Sequence, residues 1–341
     1  MSWYVRAAMS AHRKDRWQRL SFTSDALAGN PLGDPYERPL WVWTPSDTTR
    51  RYPAVYVIQG MTGMVDAWFN VRPWTESFPD AVERLAPDAV VVLVDAFTAV
   101  GGSQFLDSPA IGRYHTYLCD EIVPFVDGAF PTIADARHRG IQGKSSGGYG
   151  AMVTPLLRPD LFGALATHAG DAAFDLCYLG EFAPSARALR DKFEGSYDEF
   201  WRDFRSGRRV LENREDPILV NTYAMAAAYS SNDDGTIDLP FEIETGELRP
   251  EVFERWLGWD PVRMARDPSH AATLRGLRGI WIDAGRGDQY YLDLGATAYR
   301  NALAAAGVPD ETVHFELFDG THFGTGWRYP LSLAWLVERL A

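Results

Sequence analysis

The segment Ile141-Gln142-Gly143-Lys144-Ser145-Ser146-Gly147-Gly148-Tyr149-Gly150 carries the pattern G-x-S-x-G on Gly143, Ser145 and Gly147. A serine placed this way, after a strand and at the start of a helix, sits on a sharp strained turn with its hydroxyl exposed. Glycine is needed two positions to either side because a side chain there would run into the neighbouring strand and helix. Ser146 fails that test, since Lys144 stands where it would need a glycine. A serine hydroxyl is a poor nucleophile at neutral pH. It requires a histidine base, and an acid to hold that base in the right tautomer.

On such an elbow the partners follow in the chain order Ser, Asp, His. Of the histidines, His12 lies in a charged leader, His115 and His138 precede the nucleophile, and His314 falls in a strand-like run. His322, in Asp319-Gly320-Thr321-His322-Phe323-Gly324, follows the last expected strand in a glycine-flanked loop and is the candidate base. Asp288 stands just beyond the strand Ile280-Trp281-Ile282-Asp283-Ala284 and is the candidate acid, with Asp293 as the alternative and helix capping as its other role. Asp283 lies inside the strand.

Acyl transfer also needs backbone amides aimed at the tetrahedral oxyanion. Ser146 offers one by its position after the nucleophile. Met61, in Gln59-Gly60-Met61-Thr62-Gly63, is expected to offer the second, with Gly60 and Thr62 beside the substrate. Tyr149, His168 and Asp171 are further candidate pocket residues, although core and capping roles suit His168 and Asp171 as well.

These side chains are far apart in the chain, so a scaffold must gather them. Continuous apolar runs at 52–59, 89–95, 138–142 and 279–284, with weaker ones at 164–168 and 313–318, read as strands covered on both faces. Helical patterns at 75–85, 114–130, 148–157 and 292–306 fall between them. Alternation of this kind predicts an α/β fold with a mostly parallel sheet. Residues 18–24 and 39–44 alternate apolar with polar, as antiparallel edge strands do. The alternation stops between 170 and 275, where aromatics crowd together in a stretch too long for a loop. We expect a core domain over 1–169 and 276–341 and a partly helical cap over 170–275, with helices at 199–204 and 218–230 and a strand-like run at 236–242. Its tryptophans, Trp201, Trp256 and Trp259, either pack the cap or wall the substrate site.

With the elbow, the Ser, Asp and His order and this alternation in place, the chain resembles the putative-esterase branch of the α/β-hydrolases, which includes esterase D, feruloyl esterases, enterochelin esterases and the antigen 85 mycolyltransferases. The resemblance rests on Gln59 to Gly63, on Tyr114-His115-Thr116-Tyr117 through Glu121-Ile122-Val123-Pro124-Phe125-Val126, on the elbow, on Gly287-Asp288-Gln289-Tyr290 and on Gly320-Thr321-His322. It implies Ser145, Asp288 and His322 as a triad and a serine carboxylic-ester hydrolase working through an acyl-enzyme. An acyltransferase of the same fold and a non-catalytic binding scaffold are the alternatives. The family often has His-Gly where this chain has Gln59-Gly60, and the insertion is longer than in esterase D, so the resemblance implies no particular substrate.

Composition bounds the rest. The chain has 341 residues, enough for one large domain or two ordinary ones, and a formal charge of −13 that would repel a phosphate backbone. A small-molecule ester is thus the expected partner, nucleic acid and membrane are not, and a homo-oligomer is compatible with the composition. Two cysteines cannot form a disulfide framework or a four-thiolate zinc site, and no signal-peptide pattern opens the chain, so a cytoplasmic location is expected. Residues 230–235 distantly resemble a calcium loop, but Phe241 occupies the place of its bidentate glutamate. No metal and no cofactor is expected.

Overall fold

In the computed structural model, residues 16–206 and 215–341 are described apart from residues 72 and 87, so His12 and the leader around it lie outside the described residues. The strands are β1 (Trp17–Thr23), β2 (Glu37–Trp43), β3 (Ala54–Ile58), β4 (Val90–Val94), β5 (Asp107–Ser108), β6 (Gly112–Arg113), β7 (Arg139–Lys144), β8 (Ala164–His168), β9 (Gly279–Gly285) and β10 (Val313–Phe318). Eight of them form one sheet in the order β1-β2-β4-β3-β7-β8-β9-β10. From β4 to β10 every pairing is parallel, and β1 and β2 add an antiparallel edge. The small β5–β6 hairpin, two residues a strand, carries too little periodicity to be visible in sequence.

The residue types explain this arrangement. β3 and β4 are Ala-Val-Tyr-Val-Ile and Val-Val-Val-Leu-Val, buried at every position, because helices cover both faces of a parallel sheet. β1 alternates and leaves its polar residues in solvent, as an edge strand does. The covering helices include α1 (Phe78–Leu85), α3 (Ser146–Leu157), α11 (Leu292–Ala305) and α12 (Arg328–Leu340), together with α2, which runs through Tyr114–Thr116, a wider-wound Tyr117–Ile122 and Val123–Ala129. α1 starts at Phe78, later than the periodicity suggests, because Ser77 caps it by accepting from Asp80 N and Pro79 sits in its first turn.

The insertion is more helical than its sequence suggests. It contains α4 (Phe174–Cys177), α5 (Leu179–Lys192), α6 (Tyr197–Phe204), α7 (Asp216–Tyr229), α8 (Pro250–Leu257), α9 (Pro261–Arg266) and α10 (Ala271–Gly276). The strand-like run 236–242 is not a strand. Only single bridges, Ser231 to Ile237 and Phe241 to Leu248, form there, and Pro240 has no N–H to extend a ladder. One hydrophobic cluster runs from the sheet through α3 into the insertion, joining Tyr149, Phe174, Tyr178, Tyr229 and Trp256. Asp260 fastens the two ends of the insertion together by accepting from the backbone N–H groups of Ala173 and Phe174, at 3.0 and 3.1 Å.

Along the chain, β3 is followed by its neighbour on one side, β4, and later by its neighbour on the other, β7. The crevice at the carboxyl ends of β3 and β7 is therefore a topological switch point, where open α/β sheets bind ligands.

Candidate active site

Ser145 occupies that switch point, between the end of β7 and the start of α3, with φ 56° and ψ −126°. A non-glycine residue held there costs about 1–3 kcal/mol and persists only if its surroundings enforce it. They do so here. The Ser145 N–H donates to the carbonyls of His168 and Ala169, at 3.0 and 3.1 Å, and its own carbonyl accepts from Tyr149 N at 2.8 Å. A Cβ on Gly143 would stand 2.3 Å from the Gly147 carbonyl oxygen, and one on Gly147 would stand 2.6 Å from that of Ile58. Both glycines of the motif are thus demanded by backbone, not by flexible side chains. Thr62, Ala169, Ala173 and Tyr291 share the left-handed region in neighbouring loops, so strain collects at this edge of the sheet.

His322 and Asp288 come from the loops after β10 and β9. His322 Nδ1 lies 2.8 Å from Asp288 Oδ2, and both side chains are buried. The second carboxylate oxygen of Asp288 accepts from Tyr290 N at 2.9 Å, so the acid is held by the turn that carries it. Gln289 Oε1 accepts from His322 N at 3.2 Å. With Nδ1 engaged, Nε2 is the imidazole nitrogen left for chemistry. Ser145 and His322 line one cavity of about 590 Å³, with Gly60, Met61, Thr62 and Asp171. Among the described residues no hydrogen bond joins Ser145 Oγ to His322; such bonds are often long before substrate arrives and tighten in the reacting complex.

Of the two expected oxyanion donors, Met61 lines the same cavity, and Ser146 is buried next to Ser145 at the start of α3. Thr62 N donates to Gly101 O at 2.8 Å and Gly63 N to Gly60 O at 2.9 Å, which fixes the loop around Met61 while the Met61 N–H has no backbone acceptor among the described residues. Ser146 is the first residue of α3, so its N–H falls outside the helix ladder.

The other candidates separate. Gly60, Thr62 and Asp171 line the cavity. His168 does not: its Nδ1 lies 2.7 Å from Asp283 Oδ1 and its Nε2 2.9 Å from Ser332 Oγ, behind the site. Asp283 is shared with Trp281 and Arg328, at 2.7 and 2.9 Å. Burial would raise its pKa, but His168 and Arg328 overcome this and hold the carboxyl below the ordinary value. Tyr149 is likewise a core residue, fully buried and packed on Phe174 and Tyr229 at ring distances of 5.9 and 5.6 Å. Tyr149 and His168 are candidate pocket residues by sequence, with a core role also open to His168, and in the structure a buried face turns each inward. Trp201 and Trp256 are also packed into the insertion's core. Tyr178, Tyr290 and Phe323 provide the aromatic wall instead.

Further polar residues converge on the cavity: Asp171, already a candidate from the sequence, and Glu181 and Lys144, which the sequence did not single out as pocket residues. Asp171 accepts from Tyr178 Oη at 2.8 Å and from Gln104 Nε2 at 3.2 Å, and it takes longer contacts, 3.5 Å each, from the hydroxyls of Ser145 and Ser146. Burial raises its pKa. Glu181 of α5 accepts from Asn221 Nδ2 of α7 at 2.7 Å, and burial pushes its pKa up to about 7. Lys144 lines the cavity beside the nucleophile, and burial lowers its pKa to about 8. No motif announces Glu181 and Lys144 as pocket residues, because an insertion helix and side-chain direction, not spacing, bring them beside Asp171. Among the described residues no group of three or more His, Cys, Asp or Glu side chains is placed to hold a metal ion.

The family model described as Putative esterase matches residues 36–334, which takes in both the elbow and the His322 loop. The chain belongs to this esterase family. Membership supports a hydrolase acting on esters. Among solved structures, a ferulic acid esterase shares 19% identity over 95% of this chain and 98% of its own, with a TM-score of 0.60. MPT51 of Mycobacterium tuberculosis shares 15% over 95% and 99%, with a TM-score of 0.57. An S-formylglutathione hydrolase from Agrobacterium tumefaciens shares 16% over 95% of each chain, with a TM-score of 0.53. These likenesses show the α/β-hydrolase fold. No helix among the described residues is long and apolar enough to cross a membrane.

Proposed function

We propose that the chain is a serine carboxylic-ester hydrolase working through an acyl-enzyme. The observation that carries this reading is the shared cavity: Ser145 on a strained elbow and His322, oriented by Asp288 at 2.8 Å, open onto the same space. His322 Nε2 takes the hydroxyl proton as Ser145 Oγ bonds to the ester carbonyl carbon. The Met61 and Ser146 N–H groups receive the oxyanion. Collapse breaks the carbon–oxygen bond, and the departing alkoxide takes the proton from His322. Water then enters, gives a proton to His322 and attacks the acyl carbon; collapse returns that proton to Ser145 Oγ and releases the acid. Asp288 keeps the imidazole in one tautomer and balances the charge it gains.

Asp171, Thr62 and Gly60 belong to the substrate's surroundings in this reading, and Gly60 lets its loop pack against the elbow, since a Cβ there would stand 2.7 Å from the Lys144 carbonyl oxygen. The expected partner is a small or medium ester. A reducing compartment, the cytoplasm, is supported by two buried free thiols, Cys119 and Cys177.

The test is turnover of 4-nitrophenyl acetate by the parent and by Ser145→Ala, with fluorophosphonate labelling mapped by mass spectrometry. We expect the label on Ser145 and loss of at least a thousandfold in kcat/KM. Label on Ser146, or undiminished turnover in the variant, would refute the assignment.

A further inference from the structure

A second space adjoins the catalytic cavity. It encloses about 670 Å³ and is lined by Met64, Trp68, Trp327 and Leu331 among others, and it shares Gly63, Lys144 and Phe323 with the catalytic cavity. The shared wall makes it the continuation of the site. Another of its walls is the loop from Phe323 to Trp327, which leads directly on from His322. Because the leaving alcohol must take its proton from His322, the part of the substrate lying against that loop is the alcohol.

Lys144 stands at the junction. It is half-buried and has no ion pair or hydrogen bond within bonding distance among the described residues; its ammonium lies 5.7 Å from the Phe323 ring centre. Asp171 and Asp288 act on it only through space, and burial outweighs them in lowering its pKa. The other cation of the groove, Arg84, is already held by Glu76 through two bonds of 3.0 and 2.7 Å. A partly desolvated ammonium without a partner is costly, and an anion that seats against it recovers that cost. The carboxylic acids on the inner side of the cavity are Asp171 and Glu181, whereas the acid lining the groove, Glu76, is paired with Arg84, so an anion is better accepted on the groove side.

We propose that Lys144 is a specificity-determining residue that selects esters whose alcohol half carries a carboxylate, bound in the groove formed by Met64, Trp68, Phe323 and Trp327. This inference rests on the esterase reading above. The ester oxygen of such a substrate lies at His322, its apolar body along the aromatic groove, and its carboxylate at the Lys144 ammonium.

The probe is 3-acetoxybenzoate against its uncharged methyl ester, compared as the ratio of their kcat/KM values. A charge-assisted hydrogen bond predicts a preference of about ten- to a hundredfold for the charged ester in the parent. Lys144→Met should bring the ratio close to one, and Lys144→Arg should restore most of it. Because Lys144→Met stands in the elbow and could fold poorly, a second measurement uses the parent alone: 3-hydroxybenzoate should inhibit at least tenfold more strongly than methyl 3-hydroxybenzoate. A parent ratio near one, an unmoved ratio in Lys144→Met, or equal inhibition overturns the proposal. So does a preference found only with the charge on the acyl half, in 4-nitrophenyl hemisuccinate against its methyl ester. If turnover of the neutral ester depends on Ser145 while the ratio ignores Lys144, this inference alone falls. If turnover survives Ser145→Ala, both fall.

Discussion

Replacing Gly147 by alanine tests how the elbow is built. The added Cβ would lie 2.6 Å from the Ile58 carbonyl oxygen, 2.7 Å from that of Gln59 and 2.8 Å from the Gln59 carbonyl carbon. None of these atoms belongs to a side chain that can swing away. Relief to an ordinary contact requires the start of α3 and the end of β3 to part by roughly 0.8 Å, and overpacking of this kind costs about 1–3 kcal/mol. The displaced segments are the two that carry the Ser146 and Met61 amides. A misplacement approaching 1 Å near reacting groups can cost about a hundredfold in rate. We therefore expect Gly147→Ala to lower the melting temperature by several degrees and kcat/KM for 4-nitrophenyl acetate by about ten- to a hundredfold, measured by thermal unfolding and initial rates. Gly180→Ala is the control. An alanine Cβ at Gly180 in α5 meets nothing within 4 Å, and the change should leave activity intact while adding up to about 1 kcal/mol of stability. A Gly147→Ala protein with kcat/KM within twofold of the parent and an unchanged melting temperature would refute the steric argument.

Asp288→Asn should preserve the fold but cost about 10⁴-fold in kcat, because an amide can donate to His322 Nδ1 and leave the proton on the wrong nitrogen; steady-state kinetics beside an unchanged circular dichroism spectrum would check it. Glu181 makes a pH prediction. Its folded pKa, about 7, lies above the ordinary glutamate value of 4.5, so the folded state holds the extra proton and the carboxyl costs stability increasingly as pH rises from 4.5 to 7. Glu181→Gln, which keeps an acceptor for Asn221, should therefore stabilise the protein by roughly 1–3 kcal/mol at pH 8 and by much less near pH 4.5, read from urea unfolding at the two pH values. Equal effects at both would contradict it.

Much of this protein is legible in its residue order. The runs that became β3, β4, β8 and β9 could be placed to within one or two residues, because a strand covered on both faces is mostly apolar, and the polar β7 could be placed by the elbow that follows it. The elbow could be located because backbone approaches backbone at Gly143 and Gly147, and no side chain fits there. Asp288 and His322 could be singled out because each follows the carboxyl end of a strand, and their 2.8 Å contact results from the parallel pairing of β9 and β10. Sequence position does not tell which way a side chain faces. His168, one strand residue away from the site, turned to Asp283 and Ser332, and Tyr149 turned into the aromatic core. The helices between residues 170 and 275 answer to tertiary packing rather than to local periodicity, as the nearly uniform apolar face of α7 illustrates. Lys144, Asp171 and Glu181 share a cavity only because β7, the loop after β8 and α5 converge in space. Their altered proton affinities follow from burial, a property no single segment of chain possesses on its own.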